Sequence, residues 1–223
     1  MPALPVNGGA GDPPLLELAM PSPHIADLAA PSDVIYTRRG DELRLRFLTP
    51  ADAEALQAYV RSLGVRSRHN RFLGALSELP KAVLEDFVAL GRNDRFTLVA
   101  TMASDGRESI AAEARYALDR SSGRVEFGVS VQDRWQGHGI GPALMKHLEG
   151  RALALGGVSL LGDTLRSNEV MIALAKNSGF ELRQHPDDWT LVRFEKALSG
   201  ASADSRGAGL RVVDGHASIG AMI

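Results

Sequence analysis

Three glycines at alternate positions, Gly137, Gly139 and Gly141, sit near the end of the stretch Val129-Ser-Val-Gln-Asp-Arg-Trp-Gln-Gly-His-Gly-Ile-Gly-Pro-Ala-Leu144. The first part reads as the end of a strand and the last part opens a helix. Glycines there let backbone N–H groups converge and a ligand approach closely. A helix start adds unpaired donors and a positive dipole end, so the chemistry suits an anion. A nucleotide-hydrolysing phosphate loop is disfavoured because no Gly-Lys pair occurs. A dinucleotide fingerprint fails because the sixth position is Pro142 counted from Gly137 and Leu144 counted from Gly139. Glu126 stands in an otherwise apolar strand, facing away from Phe127, Val129 and Val131. A carboxylate so placed needs either a partner, such as Arg115, or a task. Glu113 is a second candidate for such a task, but it shares a strand face with Arg115 and reads first as its ion-pair partner. The chain has no cysteine, which excludes disulfides, thiolate metal sites and a cysteine nucleophile. Its six histidines are scattered, so no metal is expected.

The elements that must position these residues follow from the hydrophobic period. Leu43, Leu45 and Phe47 alternate with Arg44 and Arg46 as a first strand. Thr49-Pro50-Ala51-Asp52 carries a cap, a proline at the first helical position and a capping-box acid, predicting a helix to about Leu63. An Arg-rich segment, Val65–Leu73, precedes a helix over Pro80–Leu90. Strands are expected at Phe96–Met102, Ser109–Leu118 and Val125–Val131, joined by turns at Ser104-Asp105-Gly106 and Ser121-Ser122-Gly123. A helix over Gly141–Leu155 has Leu144, Leu148 and Leu155 as its core stripe. A strand at Val158–Gly162, a helix at Ser167–Asn177 and strands at Phe180–Arg183 and Trp189–Glu195 complete the series. A meander followed by a crossover predicts an α/β (α+β) fold: a mixed, mostly antiparallel sheet with helices on both faces.

Gln136-x-x-Gly139-x-Gly141 resembles the acyl-CoA pyrophosphate loop of the GNAT acetyltransferase superfamily. The preceding strand, the following helix, Asn168-x-x-Met171 and Gly179-Phe180 occur in the order that superfamily shows, and the resemblance spans about residues 42–196. Ser67-Arg-His-Asn-Arg-Phe-Leu73, Ala114-Arg-Tyr116 and Glu126-Phe127 are similar to the stand-alone catalytic domain of bacterial protein lysine acetyltransferases. The resemblance implies a GNAT-like fold and acetyl-CoA as co-substrate. It implies an amine acceptor, most simply a protein lysine, with a small-molecule amine or a non-catalytic acyl-CoA-binding module as alternatives. It implies Glu126 as general base, backbone groups of Val129, Ser130 and Val131 for the pantetheine arm, and Gln136, Gly137, His138, Gly139, Ile140, Gly141 and Ala143 around the pyrophosphate. Asn168 reads as a cofactor contact or a helix cap. Where many members place a general-acid tyrosine, this chain has Ala175.

The 223 residues divide into an arm at 1–35, a catalytic domain at 36–198 and a tail at 199–223, with a short strand read at Leu210–Val213. Pro, Ala and Gly dominate the arm, and every aromatic lies between Tyr36 and Phe194, so both ends are expected to be flexible. The net charge of −2 gives no general pull toward nucleic acid or membrane. No secretory or import signal is legible, so a cytoplasmic location is expected. The cluster Arg61, Arg66, Arg68, His69 and Arg71 reads either as an acceptor-side surface or as a solvated helix face.

Overall fold

The computed structural model describes residues 33–104 and 106–198. The arm at 1–32, Asp105, the tail at 199–223 and the strand read at Leu210–Val213 lie outside the described residues. The strands are β1 (Asp33–Tyr36), β2 (Glu42–Phe47), β3 (Arg95–Ser104), β4 (Arg107–Asp119), β5 (Arg124–Val131), β6 (Ser159–Leu165), β7 (Glu181–Gln184) and β8 (Leu191–Ala197). The helices are α1 (Ala53–Ser62), α2 (Val65–Phe72), α3 (Lys81–Val88), α4 (Ile140–Ala154) and α5 (Glu169–Asn177). All eight strands join one sheet in the order β1-β2-β3-β4-β5-β6-β8-β7.

Two departures from the sequence reading stand out. Residues 33–35, expected in the arm, begin β1, where Ile35 is buried opposite Leu43. Asp33 is fixed by Arg151 at 2.9 Å and lies 3.2 Å from His147, both on α4. The Arg-rich segment is itself a helix, α2, begun by Gly64 and ended by Leu73 in the left-handed region. Its buried residues are Arg71 and Phe72, so it carries no apolar stripe to announce it.

Each face of the sheet has its own core. On one, Leu43, Leu45, Phe47, Leu98, Tyr116 and Phe127 meet Ile140, Leu144, Met145 and Leu148 of α4. On the other, Val99 and Ile110 meet Leu56, Tyr59 and Val60 of α1 together with Phe72, Phe87 and Val88. The expected capping box forms: the Asp52 carboxylate accepts from the Thr49 N–H and hydroxyl, each at 2.8 Å.

The feature that shapes the site is the junction of β5 and β6. Every other neighbouring pair is antiparallel, but these two run parallel and pair only at Arg124↔Ser159, Val125↔Leu160 and Glu126↔Leu161. β4 follows β5 to Val131, whereas β6 follows β8 to Leu165. The two strands therefore diverge after Glu126.

Candidate active site

A cavity of about 570 Å³ opens beyond that divergence. Its walls come from Arg66, Ser67, Asn70 and Arg71 of α2, from Val129, Ser130 and Val131 of β5, from the glycine loop with the first turn of α4, and from α5. The sequence-predicted residues Val129, Ser130, Val131, Gln136, Gly137, Gly139, Ile140, Gly141 and Asn168 meet on this wall. Glu126, His138 and Ala143 do not belong to it.

The loop is built for backbone donors. Gly139, the cap residue of α4, has φ 89°, a region in which side-chain-bearing residues are strained. The N–H of Ala143 is already used, donating to the Gly139 carbonyl at 3.3 Å. Pro142 has no N–H, so Gly139, Ile140 and Gly141 are the donors that the first turn leaves without intrahelical partners. The His138 ring packs edge-on against Trp135, 5.9 Å between centroids. Its carbonyl accepts from the Arg38 N–H at 2.9 Å.

Side chains hold the loop against α2. The Gln136 amide donates to the Val131 carbonyl at 3.0 Å and to the Ser67 hydroxyl at 3.2 Å. The Asp133 carboxylate accepts from the Gly64 N–H and the Ser67 hydroxyl, both at 2.8 Å. Gln136 is thus a clamp as well as a wall residue. Asn168 caps α5, accepting from the Met171 N–H at 3.3 Å while its amide donates to the Thr164 hydroxyl at 2.9 Å. The cap reading of Asn168 is thus observed, and the residue also lies on the cavity wall.

Beneath the wall runs a buried polar chain. Arg71 donates to Glu113 through Nε at 2.5 Å and Nη2 at 3.2 Å. The Ser130 hydroxyl donates to Glu113 at 2.7 Å, and Tyr59 OH lies 2.8 Å from Ser130 Oγ. Because Ser130 gives its single proton to Glu113, Tyr59 donates to Ser130. Burial, and then the Glu113 charge, push the Tyr59 phenol well above its ordinary pKa, so it keeps its proton. The expected Glu113–Arg115 pair does not form. Glu113 pairs with Arg71 across the helix–sheet interface, and Arg115 pairs with Asp86 while its guanidinium lies 3.9 Å from the Phe87 ring centre. The arginine cluster therefore splits. Arg71 is buried, Arg61 pairs with Glu78, Arg68 bonds the carbonyls that end α1, and Arg66 stands at the cavity edge.

Glu126 occupies the last position paired before the strands part, on the same face as Gly128 and Ser130. Its side chain is half-buried. Across β6, Asp163 holds Arg193 through two 2.9 Å hydrogen bonds. Those bonds chiefly raise the Arg193 pKa, and the Glu126 charge adds to the rise. Ala175 is fully buried and presents no hydroxyl. Arg71, read from sequence only as one member of the arginine cluster, had a further cue. Gly128 inside a strand marks a close approach, and a Cβ there would lie 2.9 Å from Arg71 Nη1.

Comparison with known proteins agrees with this geometry. Residues 62–180 match the model of the Acetyltransferase (GNAT) family. An acetyltransferase of Pseudomonas aeruginosa is 30% identical over 159 residues, 71% of this chain and 86% of the relative. The GNAT domain of S. lividans PAT shares the fold with a TM-score of 0.68 and 24% identity, covering 75% of this chain and 97% of that one. The yncA protein of Salmonella typhimurium, solved with its cofactor acetyl-CoA, gives a TM-score of 0.58 at 20% identity, covering 74% and 99%.

Proposed function

Because the chain belongs to the GNAT acetyltransferase family, we propose that it moves an acetyl group from acetyl-CoA to a primary amine, that of a protein lysine. The divergence of β5 from β6 carries this reading. It leaves one backbone edge of residues 127–131 without a neighbouring strand and opens it onto a cavity that ends at a helix N-terminus. That shape fits a long ligand with an extended amide arm and a diphosphate head. The edge at Val129–Val131 would hold the arm, and the N–H groups of Gly139, Ile140 and Gly141 the diphosphate. When bound, acetyl-CoA supplies an activated acyl thioester.

The protein must then supply a neutral amine. A lysine of pKa about 10.4 resists deprotonation at pH 7 by about 4.6 kcal/mol. Glu126, at the vertex of the two strands, is the carboxylate to accept that proton, directly or through one water. Glu113 is unsuited, since its oxygens already accept from Arg71 and Ser130. The similarity of Ser67–Leu73 and Glu126-Phe127 to bacterial protein lysine acetyltransferases supports lysine as acceptor. Ala175 favours a second reading, an acyl-CoA-binding protein without turnover.

One experiment separates these readings. Purified wild-type and Glu126→Gln proteins are offered acetyl-CoA, a cell lysate and a panel of small amines, with products read by mass spectrometry. The proposal expects new acetyl-lysines from the wild type. It expects a rate lower by about 10²–10⁴-fold for the variant at unchanged CoA affinity. Undiminished turnover in the variant removes Glu126 as base. Acetylated small amines with untouched lysines move the acceptor to metabolites, and CoA binding without product favours the second reading.

A further inference from the structure

The tight turn between β1 and β2 lies outside the family-matched region, yet it reaches the cavity. The turn is fixed by its own bonds. The Thr37 N–H donates to the Asp41 carbonyl at 2.9 Å, and the Thr37 hydroxyl donates to the Asp41 carboxylate at 2.7 Å. It is also docked on the glycine loop, because the Arg38 N–H donates to the His138 carbonyl at 2.9 Å. The Arg38 side chain then runs across Gly139, where a Cβ would lie 3.4 Å from Arg38 Cγ and 3.7 Å from Nε, and onto the cavity wall.

What surrounds this guanidinium defines its role. Asp41, the carboxylate nearest in sequence, is occupied by Thr37, and Asp133 is occupied by Gly64 and Ser67. Among the described residues Arg38 has no ion-pair or side-chain hydrogen-bond partner. Arg71 is neutralised by Glu113. Arg38 therefore brings a cationic fork of donors, uncompensated among the described residues, to the place where α4 leaves its first N–H groups unpaired. Phosphate oxygens are the group that satisfies both at once. We propose that Arg38 binds the diphosphate of the acyl donor, closing from the β1–β2 turn a site whose other donors are backbone N–H groups. This rests on the acyl-CoA reading above.

The test titrates full-length wild type, Arg38→Gln and Arg38→Lys with CoA, with dephospho-CoA, which lacks the 3′-phosphate, and with pantetheine, which lacks every phosphate. Arg38 is exposed and its loop bond is made by the backbone, so the variants keep the fold. The proposal expects Arg38→Gln to weaken CoA and dephospho-CoA alike by about 10- to 100-fold, with pantetheine unchanged and a shallower salt dependence. Arg38→Lys recovers part of the loss, because it restores the charge without the fork. Unchanged CoA affinity in Arg38→Gln overturns the proposal, as does an equal loss for pantetheine, which marks a merely structural side chain. A loss for CoA that vanishes with dephospho-CoA overturns the diphosphate assignment in favour of the 3′-phosphate. Wild-type protein that fails to bind CoA defeats the functional reading itself, an outcome separable from a failure of Arg38 alone.

Discussion

Arg71 carries a full charge into a wall with 3% of its side chain exposed, and Glu113, at 2%, makes this tolerable. Isolating either ion is expensive, because the partner loses its counter-charge and its hydrogen bonds together. Glu113→Gln should therefore cost about 3–5 kcal/mol in urea denaturation. Gly128→Ala should cost less, about 1–3 kcal/mol, since the new methyl displaces a guanidinium that Glu113 holds in place. A Gly128→Ala variant as stable as wild type would mean that Arg71 moves freely. At this scale the sequence is legible where backbone chemistry writes it. The alternate glycines mark the loop because few other residues reach φ 89°. The Arg71–Glu113 pair is illegible, because its members are 42 positions apart and each has a nearer candidate partner. Glu126 and Glu113 look alike in sequence, as carboxylates in apolar strands, and only the packing of α2 tells them apart.

The cavity wall depends on how α2 is fastened. Asp133, just past β5, grips its first turn through Gly64 and Ser67, and Arg71 grips its last turn through Glu113. Asp133→Ala removes the first grip and leaves the second. The expected result is a loss of about 1 kcal/mol, in the range of a helix cap. Because α2 carries Arg66, Ser67 and Asn70 on the wall, KM for the acyl donor should rise several-fold while kcat changes less. Steady-state kinetics on this variant checks the split, and a fall confined to kcat would contradict it. Elements with a strong period were read to within two or three residues, as for β3, β4, β5 and α4. The two that escaped were α2, which buries an arginine and a phenylalanine, and β1, whose buried apolar residue is Ile35. Neither has enough repeats of its period to register.

Across the whole molecule, Arg46 ties β2 to the start of α1 and to β4, bonding Asp52 at 2.7 and 2.9 Å and Glu108 at 2.7 Å. Burial pushes the Asp52 carboxyl up, but hydrogen bonds from Arg46 and Thr49 outweigh it and hold the group below its ordinary value. Arg46 is the chief cause holding the Glu108 carboxyl below its ordinary value, against burial. Groups whose folded pKa is depressed contribute stability above their unfolded values, and that contribution is lost as pH falls through the folded ones. Arg46→Met should thus be less stable than wild type by about 1–2 kcal/mol near neutrality. The gap should close as pH drops below about 4, in thermal melts run from about pH 7 to about pH 3. A gap independent of pH would assign the loss to packing. Fold class was legible from the meander followed by a crossover, but the extent of each pairing was not, because register is decided between strands rather than within them. That extent has a consequence for how the molecule comes together. The first five strands include the β1–β2 hairpin and the β3–β4–β5 meander, each closed by short turns, whereas β6 reaches β5 only through the crossover that carries α4. Local pairings close early and long crossovers late. The cavity lies on the seam between the meander and that crossover, so a chain folded only as far as its meander owns the α2 and β5 walls, lacks the glycine loop and α5, and has no closed site.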